Sequence, residues 1–407
     1  MKIYSKHLLP LGLALLMAFP NGAMAKGKKK KKEDEGYKFT MVADVPTTSV
    51  KDQQSTGTCW AFATTSFIET ELLRMGKGDI DLSEMYTVRF AYDQKAMRYF
   101  RLHGKGNYSE GGQAHDVLNV IRIYGMAPES VYSGNQYESD IHIHREMVGE
   151  TKGMLDAVIK NRNRKVTPVW NKALNGVLDV YLGKAPEKFT YKGKEYTPVS
   201  FAKEGMGFNT DDYVELTSYS HHPFYTQFDL EIPDNWSHDL YYNLPIDELM
   251  EVMDNALKNG YSVAWDGDVS EKGFSHRNGL AILPEKNTKD MSGAEIAKWE
   301  KMSSKEKNAE LYNFKKPGVE KKVDQALRQE TFNNYKTTDD HLMHLTGIVK
   351  DQNGTIYYKT KNSWATDSND FGGYLNMSES YVRLKTVAIM VHKDAIPAAL
   401  KEKLGIR

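Results

Sequence analysis

Cysteine is nearly absent: the 407 residues contain one, Cys59. A single thiol forms no internal disulfide, no Cys-x-x-Cys redox pair and no cysteine-rich zinc site, so the fold must rest on its hydrophobic core. Charge of one sign is lacking as well, with 54 basic residues against 54 acidic. That balance gives no general attraction to nucleic acid or to anionic lipid. Long apolar runs are also missing. The run from Leu8 to Phe19 is about 12 residues, short of the ~20 that a membrane-spanning helix needs.

What is present at the start reads as an address. A basic opening, "MKIYSKH", leads into that apolar run, and Ala23-Met24-Ala25 supplies a small-x-small cleavage pattern. The expectation is a signal peptide over residues 1–25, cleaved after Ala25, and export to the periplasm or beyond. No cysteine follows the cleavage point, so no lipid anchor is expected there. Residues 26–36, "KGKKKKKEDEG", read as a charged disordered leader. Residues 37–407 then form the folded part, without stable membrane insertion.

The lone cysteine sits in "KDQQSTGTCWAF", Lys51 to Phe62. Gly57 suits a tight turn and Thr58 an N-cap, so a helix is expected to begin at Cys59. Ala61, Thr64, Ile68, Leu72 and Met75 recur at helical spacing as a buried stripe, and Gly76 stands where a C-cap belongs. A cysteine in a first helical turn faces unpaired N–H groups and the positive end of the helix dipole, which favour thiolate. A nucleophile also needs a base and a group to orient that base. Downstream, "TTDDHLMHLTGIV" and "GTIYYKTKNSWATD" read as two strands joined by the turn "KDQNG". His341 and His344, three apart in a strand, project from opposite faces, which disqualifies them as a metal pair. Asn362 closes the second run, with Trp364 placed to shield an Asn–His hydrogen bond from water. His115, after "GGQA", is expected on a helix surface, and His221-His222 as a surface or packing pair.

These residues carry a resemblance. "DQQSTGTCWAFA" resembles the active-site stretch of papain-like cysteine peptidases, with Gln53 six positions before Cys59. "DHLMHLTG" resembles that family's histidine strand, which selects His341 over His344, and "KNSW" resembles its Asn-Ser-Trp element. The cathepsin branch carries a further cysteine three residues before the nucleophile; Thr56 stands there. The Cys59-to-His341 interval is also about twice the 130–150 residues of cathepsins. Both departures, together with "EGGQAHDVLNVIRIYGMAPESVY" and "LDVYLGKAPEKFTYKGKEYTPVSFAKE", resemble the bleomycin hydrolase/aminopeptidase C family.

The resemblance implies an α+β, papain-like two-lobed fold, with a helical lobe, a strand-rich lobe and a helix-and-hairpin insertion at about 141–248. It implies a Cys59–His341–Asn362 triad holding a thiolate–imidazolium pair, an oxyanion hole using Gln53, and substrate binding at Gly111 and Gly112. It implies peptide substrates, a hexameric ring of like chains, and no metal or other cofactor. The activity implied is that of an aminopeptidase. In that family the chain's C-terminal carboxylate captures the substrate amine; here the chain stops at Arg407 without the expected extension, which leaves an endopeptidase as the alternative. A non-catalytic binding protein is the third reading.

Overall fold

The computed structural model describes residues 36–136, 138–161, 165–286, 288–289 and 291–407; the signal peptide and nearly all of the leader lie outside the described residues. The nucleophile segment is helical over Cys59–Arg74, starting where the turn chemistry placed it. Gly76 terminates it with φ of +72°, as Lys77 N–H returns to Leu72 O at 2.9 Å. The helix is buried nearly all round rather than along one stripe, while Met75, expected in that stripe, is 38% exposed. It runs between the sheet and the other helices of its lobe, so no side of its middle turns meets water. Thr58 occupies the N-cap position without a side-chain capping bond; its hydroxyl pairs with that of Thr56 at 2.6 Å.

An eleven-stranded sheet organises the rest. At its centre, His341–Lys350 lies antiparallel between Val263–Gly267 and Ile356–Lys361. Side chains alternate across the sheet. Leu342, Ala264 and Met390 join the core of the helical lobe, whereas Met343, Val263, Trp265 and Ile389 join a second core behind the sheet. That second core is closed by Ile246–Lys258, whose Ile246, Leu249, Met250, Met253 and Leu257 line one helix face. Leu400 and Leu404, from the Ala398–Leu404 helix, pack into the same core.

The region expected to hold the insertion divides in two. Residues Arg145–Ile159 and Val169–Leu182 are helices packed on the helical lobe, followed by the hairpin Phe189–Tyr191/Lys194–Tyr196. Lys192 and Gly193 both take positive φ there, as a tight two-residue turn requires. Tyr213–Thr217, Gln227–Asp229 and Leu240–Asn243 instead extend the main sheet outward from Thr386–His392. Two short helices, Gly293–Lys301 and Ser304–Leu311, follow in a charged stretch of the chain. Ser303 caps the second with Glu306 reaching back, which breaks the run at Met302.

A buried polar knot ties the two lobes beside the nucleophile helix. Lys51 Nζ meets Glu69 at 3.2 Å, Glu84 at 3.0 Å and Asp81 at 2.5 Å. Glu69 also accepts from Thr48 and from Leu82 N–H. Lys361, on the sheet, donates to Thr48 O and to Ser66 on the helix. Removing one cation from such a knot leaves buried carboxylates uncompensated. Lys51→Met should lower unfolding stability by about 3 kcal/mol in a denaturant titration; a loss under ~1 kcal/mol would show the knot to be dispensable.

Candidate active site

The turn before Cys59 is clamped from two sides. Glu110 accepts from Gly57 N–H at 2.6 Å, and its carbonyl accepts from the Trp60 indole at 2.9 Å. This holds the glycine loop, Gly111-Gly112, against the start of the helix. Both glycines are required by close packing: a Cβ at Gly111 would fall 1.9 Å from Asp234 Oδ2, and one at Gly112 2.7 Å from Asp116 Oδ2. The Gly111 carbonyl is already taken by Lys95 Nζ at 2.5 Å.

Cys59 is 8% exposed, and its sulfur accepts from the backbone of Leu342, the residue after His341. The helix start and the strand start therefore meet at the sulfur. His341 is buried, with Nε2 donating to Asn362 Oδ1 at 2.8 Å. Ser363 N–H also points at Asn362 Oδ1, at 2.8 Å, which fixes the oxygen, not the amide nitrogen, toward the ring. The neutral ring thus carries its proton on Nε2 and presents a bare Nδ1 as base. Trp364 covers this bond, its ring 4.9 Å from the imidazole and tilted by 33°. His344 lies on the opposite face, bonded to Ser66 on the nucleophile helix at 3.0 Å.

Gln53 is held by the same element. Ser363 Oγ donates to Gln53 Oε1 at 2.7 Å, and Gln53 Nε2 donates one proton to Thr56 O at 2.8 Å. A carboxamide nitrogen carries two protons, and this bond uses one of them. Two groups escaped the sequence reading. Ser363 sets both Gln53 and Asn362, and its position within "KNSW" was the available signal. His276 has none: it arrives from a separate loop, and Asn362 Nδ2 donates to its Nδ1 at 3.3 Å. Ser368 spends its proton on Ala365 O, so it accepts from His276 Nε2 at 2.7 Å. His276 must then offer a bare Nδ1, which supports the Asn362 orientation from behind.

Burial acts against the expected thiolate–imidazolium pair. Burial pushes the Cys59 thiol up to about 12, and the carboxylates of Asp234, Asp266 and Asp339 add to it against the Leu342 bond. Burial likewise pulls His341 down to about 4, only partly offset by the Asn362 bond. Burial and the three acids act against the helix dipole, and each favours the neutral thiol. His115 is corrected: it is buried rather than on a surface, bonded to Glu215 at 2.6 Å. Burial opposes its charge, yet Glu215, Asp116 and Asp239 raise it to about 9. His221 and His222 both contact Glu231 on the exposed rim.

The Peptidase C1-like family matches residues 93–306 and 286–406. The chain belongs to that family. The match contains His341 and Asn362 and begins after Cys59. Aminopeptidase C of Streptococcus thermophilus is 22% identical over 427 residues, covering 95% of this chain and 89% of that protein. Human bleomycin hydrolase is 23% identical, covering 86% and 81%. The solved structure of PepW from Lactobacillus rhamnosis, at 21% identity, matches with a TM-score of 0.67 over 90% of this chain and 84% of that one. The fold is that of the Peptidase C1-like, papain-like enzymes: two lobes, with the candidate site at their junction.

The charge assignment has a direct check. As pH falls from 7, the His341 ring in this geometry stays neutral until well below the 6.5 of a free imidazole. Its contribution to folding is present above 6.5 and is lost as pH falls toward about 4, because the unfolded ring protonates first. An NMR titration of His341 should give a midpoint below 6. A midpoint above 6.5 would establish the imidazolium pair instead.

Proposed function

We propose that the protein is a cysteine aminopeptidase that hydrolyses peptides through an acyl-enzyme on Cys59. The observation that carries this reading is the Cys59 sulfur against Leu342, beside a His341 ring whose far nitrogen is fixed by Asn362. In the first step the sulfur attacks the scissile carbonyl carbon as its proton passes to His341 Nδ1. The carbonyl oxygen takes negative charge and is held by Gln53 Nε2 and the Cys59 N–H. Loss of one such donor typically costs about 2.7–4 kcal/mol of transition-state stabilisation. The C–N bond then breaks, and His341 returns its proton to the leaving amine. Water, deprotonated by His341, attacks the thioester and restores the thiol.

Burial favours the neutral thiol and imidazole, so in this reading the proton passes as the sulfur attacks. Peptide backbone would lie along Gly111-Gly112, a strand-addition reading that rests on the family resemblance. The aminopeptidase assignment is supported by the names of the relatives above. Export remains part of the proposal and rests on the leader sequence alone.

Two measurements test this. Iodoacetamide should label Cys59 in native protein, and His341→Ala should slow that labelling by tenfold or more, as removal of a general base does (about 10²–10⁴-fold in turnover). A free-amine dipeptide amide should be cleaved and its N-acetylated form spared. Equal turnover of the blocked substrate makes the enzyme an endopeptidase; Cys59 reactive only after denaturation ends the enzymatic reading.

A further inference from the structure

The strand Tyr213–Thr217 runs into a short connection, residues 218–226, before the edge strand Gln227–Asp229. One side chain pins that connection. Asn243 accepts from Tyr219 N–H at 2.9 Å and donates to the carbonyls of Tyr219 and His222 at 2.8 and 3.0 Å. His221 and His222 project from this held backbone, and a phenylalanine steadies each ring. His222 stacks on Phe228 with centroids 4.2 Å apart, and His221 lies within 17° of parallel to Phe332 at 5.7 Å. Phe332 comes from the Gln325–Asn333 helix, which also brings Gln329 against His221.

Glu231, just past the edge strand, reaches back to both rings. Its Oε2 lies 3.0 Å from His221 Nε2 and its Oε1 2.8 Å from His222 Nε2. One nitrogen from each ring and one Glu231 oxygen lie within 4.8 Å of one another. Among the described residues no lysine or arginine pairs with Glu231; its ionic partners are the two imidazoles. Two histidines and one carboxylate converging on a point make the donor set of a zinc site with three protein ligands and an open fourth position. Ligand atoms on a tetrahedral zinc stand about 3.4 Å apart, given bonds of about 2.0–2.1 Å. The Glu231 side chain is 57% exposed and can turn to that spacing without disturbing a core. A zinc-bound imidazole keeps its proton on the far nitrogen and needs an acceptor there. For His221 that acceptor is at hand, with Gln329 Oε1 3.4 Å from Nδ1.

We propose that His221, His222 and Glu231 bind a zinc-class divalent ion, with water completing a tetrahedron. Imidazole with carboxylate suits zinc and neighbouring transition metals, whereas calcium and magnesium take oxygen ligands. The site is separate from the Cys59 chemistry and stands whether or not the chain hydrolyses peptides. The edge strand beside it is five strands away in the sheet from the one that carries His341. The ion cross-links the 218–226 connection to the segment after the edge strand and, through Gln329, braces both on the Gln325–Asn333 helix. Its effect falls on stability, because the donor set assembles only in the folded chain.

The test uses the untagged chain carrying Cys59→Ala, so that the thiol does not compete for metal. Calorimetry should show a single zinc bound per chain at low micromolar concentration, with calcium and magnesium unable to displace it. His222→Ala and Glu231→Gln should each weaken zinc binding at least about tenfold, since loss of even an outer partner costs about 10–100-fold. His238→Ala removes another exposed histidine–carboxylate pair, with Asp229, and should leave zinc binding unchanged. Cobalt as a probe should give the intense visible bands of a four-coordinate ion in the parent and neither variant. Saturating zinc should raise the thermal midpoint of the parent and not of the variants. Midpoints measured without metal separate lost binding from lost fold, and Glu231→Gln, at an exposed carboxylate, decides the case if His222→Ala unfolds. A parent that takes up no zinc in this range, zinc binding that survives both replacements, or equal displacement by calcium overturns the site.

Discussion

Everything at the site depends on one contact: the first turn of a buried helix abutting the first residues of a central strand, where the Cys59 sulfur meets the Leu342 backbone. This is a constraint of the fold before it is a feature of chemistry. The helix is buried on nearly every side and the strand is paired on both edges, so neither can shift without disturbing a core. The knot of Lys51, Glu69 and Lys361 ties the same helix to the neighbouring strand, Ile356–Lys361. A precisely placed thiol thus follows from packing that is mostly apolar, with polar groups where the loops must be held.

From that contact the strand's alternation distributes the functional groups. His341 turns toward Asn362 and Trp364, while Leu342 and Asp266 across from it turn toward the helical lobe. Burial and the carboxylates of Asp234, Asp266 and Asp339 push the thiol toward its neutral form, against the Leu342 backbone.

Much of this was legible in the sequence because it is local. The helix start at Cys59, the two strands around "KDQNG", the hairpin at Lys192-Gly193 and the parity that separates His341 from His344 follow from turn chemistry and periodicity. The triad spacing and Gln53 came by resemblance; the structure joins His341 to Asn362 and Gln53 to Ser363. What was not legible depends on distant partners. Nothing in "GGQAHD" shows that His115 will be buried against Glu215, one hundred residues away. His276 and Ser368 come from loops without a motif, and Asp234, Asp266 and Asp339 meet only because three elements converge. The burial and the acids that act against a thiolate were hidden for the same reason, since the dipole is local and the acids are not. The strands at 213–243 carry no mark that they extend the main sheet, and the break at Met302 was hidden by a run of charge that conceals the Ser303–Glu306 cap.

The most direct measurement is a crystal structure of the protein reacted with a free-amine leucine aldehyde. The account predicts a covalent bond from the Cys59 sulfur to the aldehyde carbon, with the resulting oxygen on Gln53 Nε2 and the Cys59 N–H. His341 should remain bonded to Asn362 through Nε2. An aldehyde that is unattached, or attached with its oxygen turned away from Gln53, would contradict it.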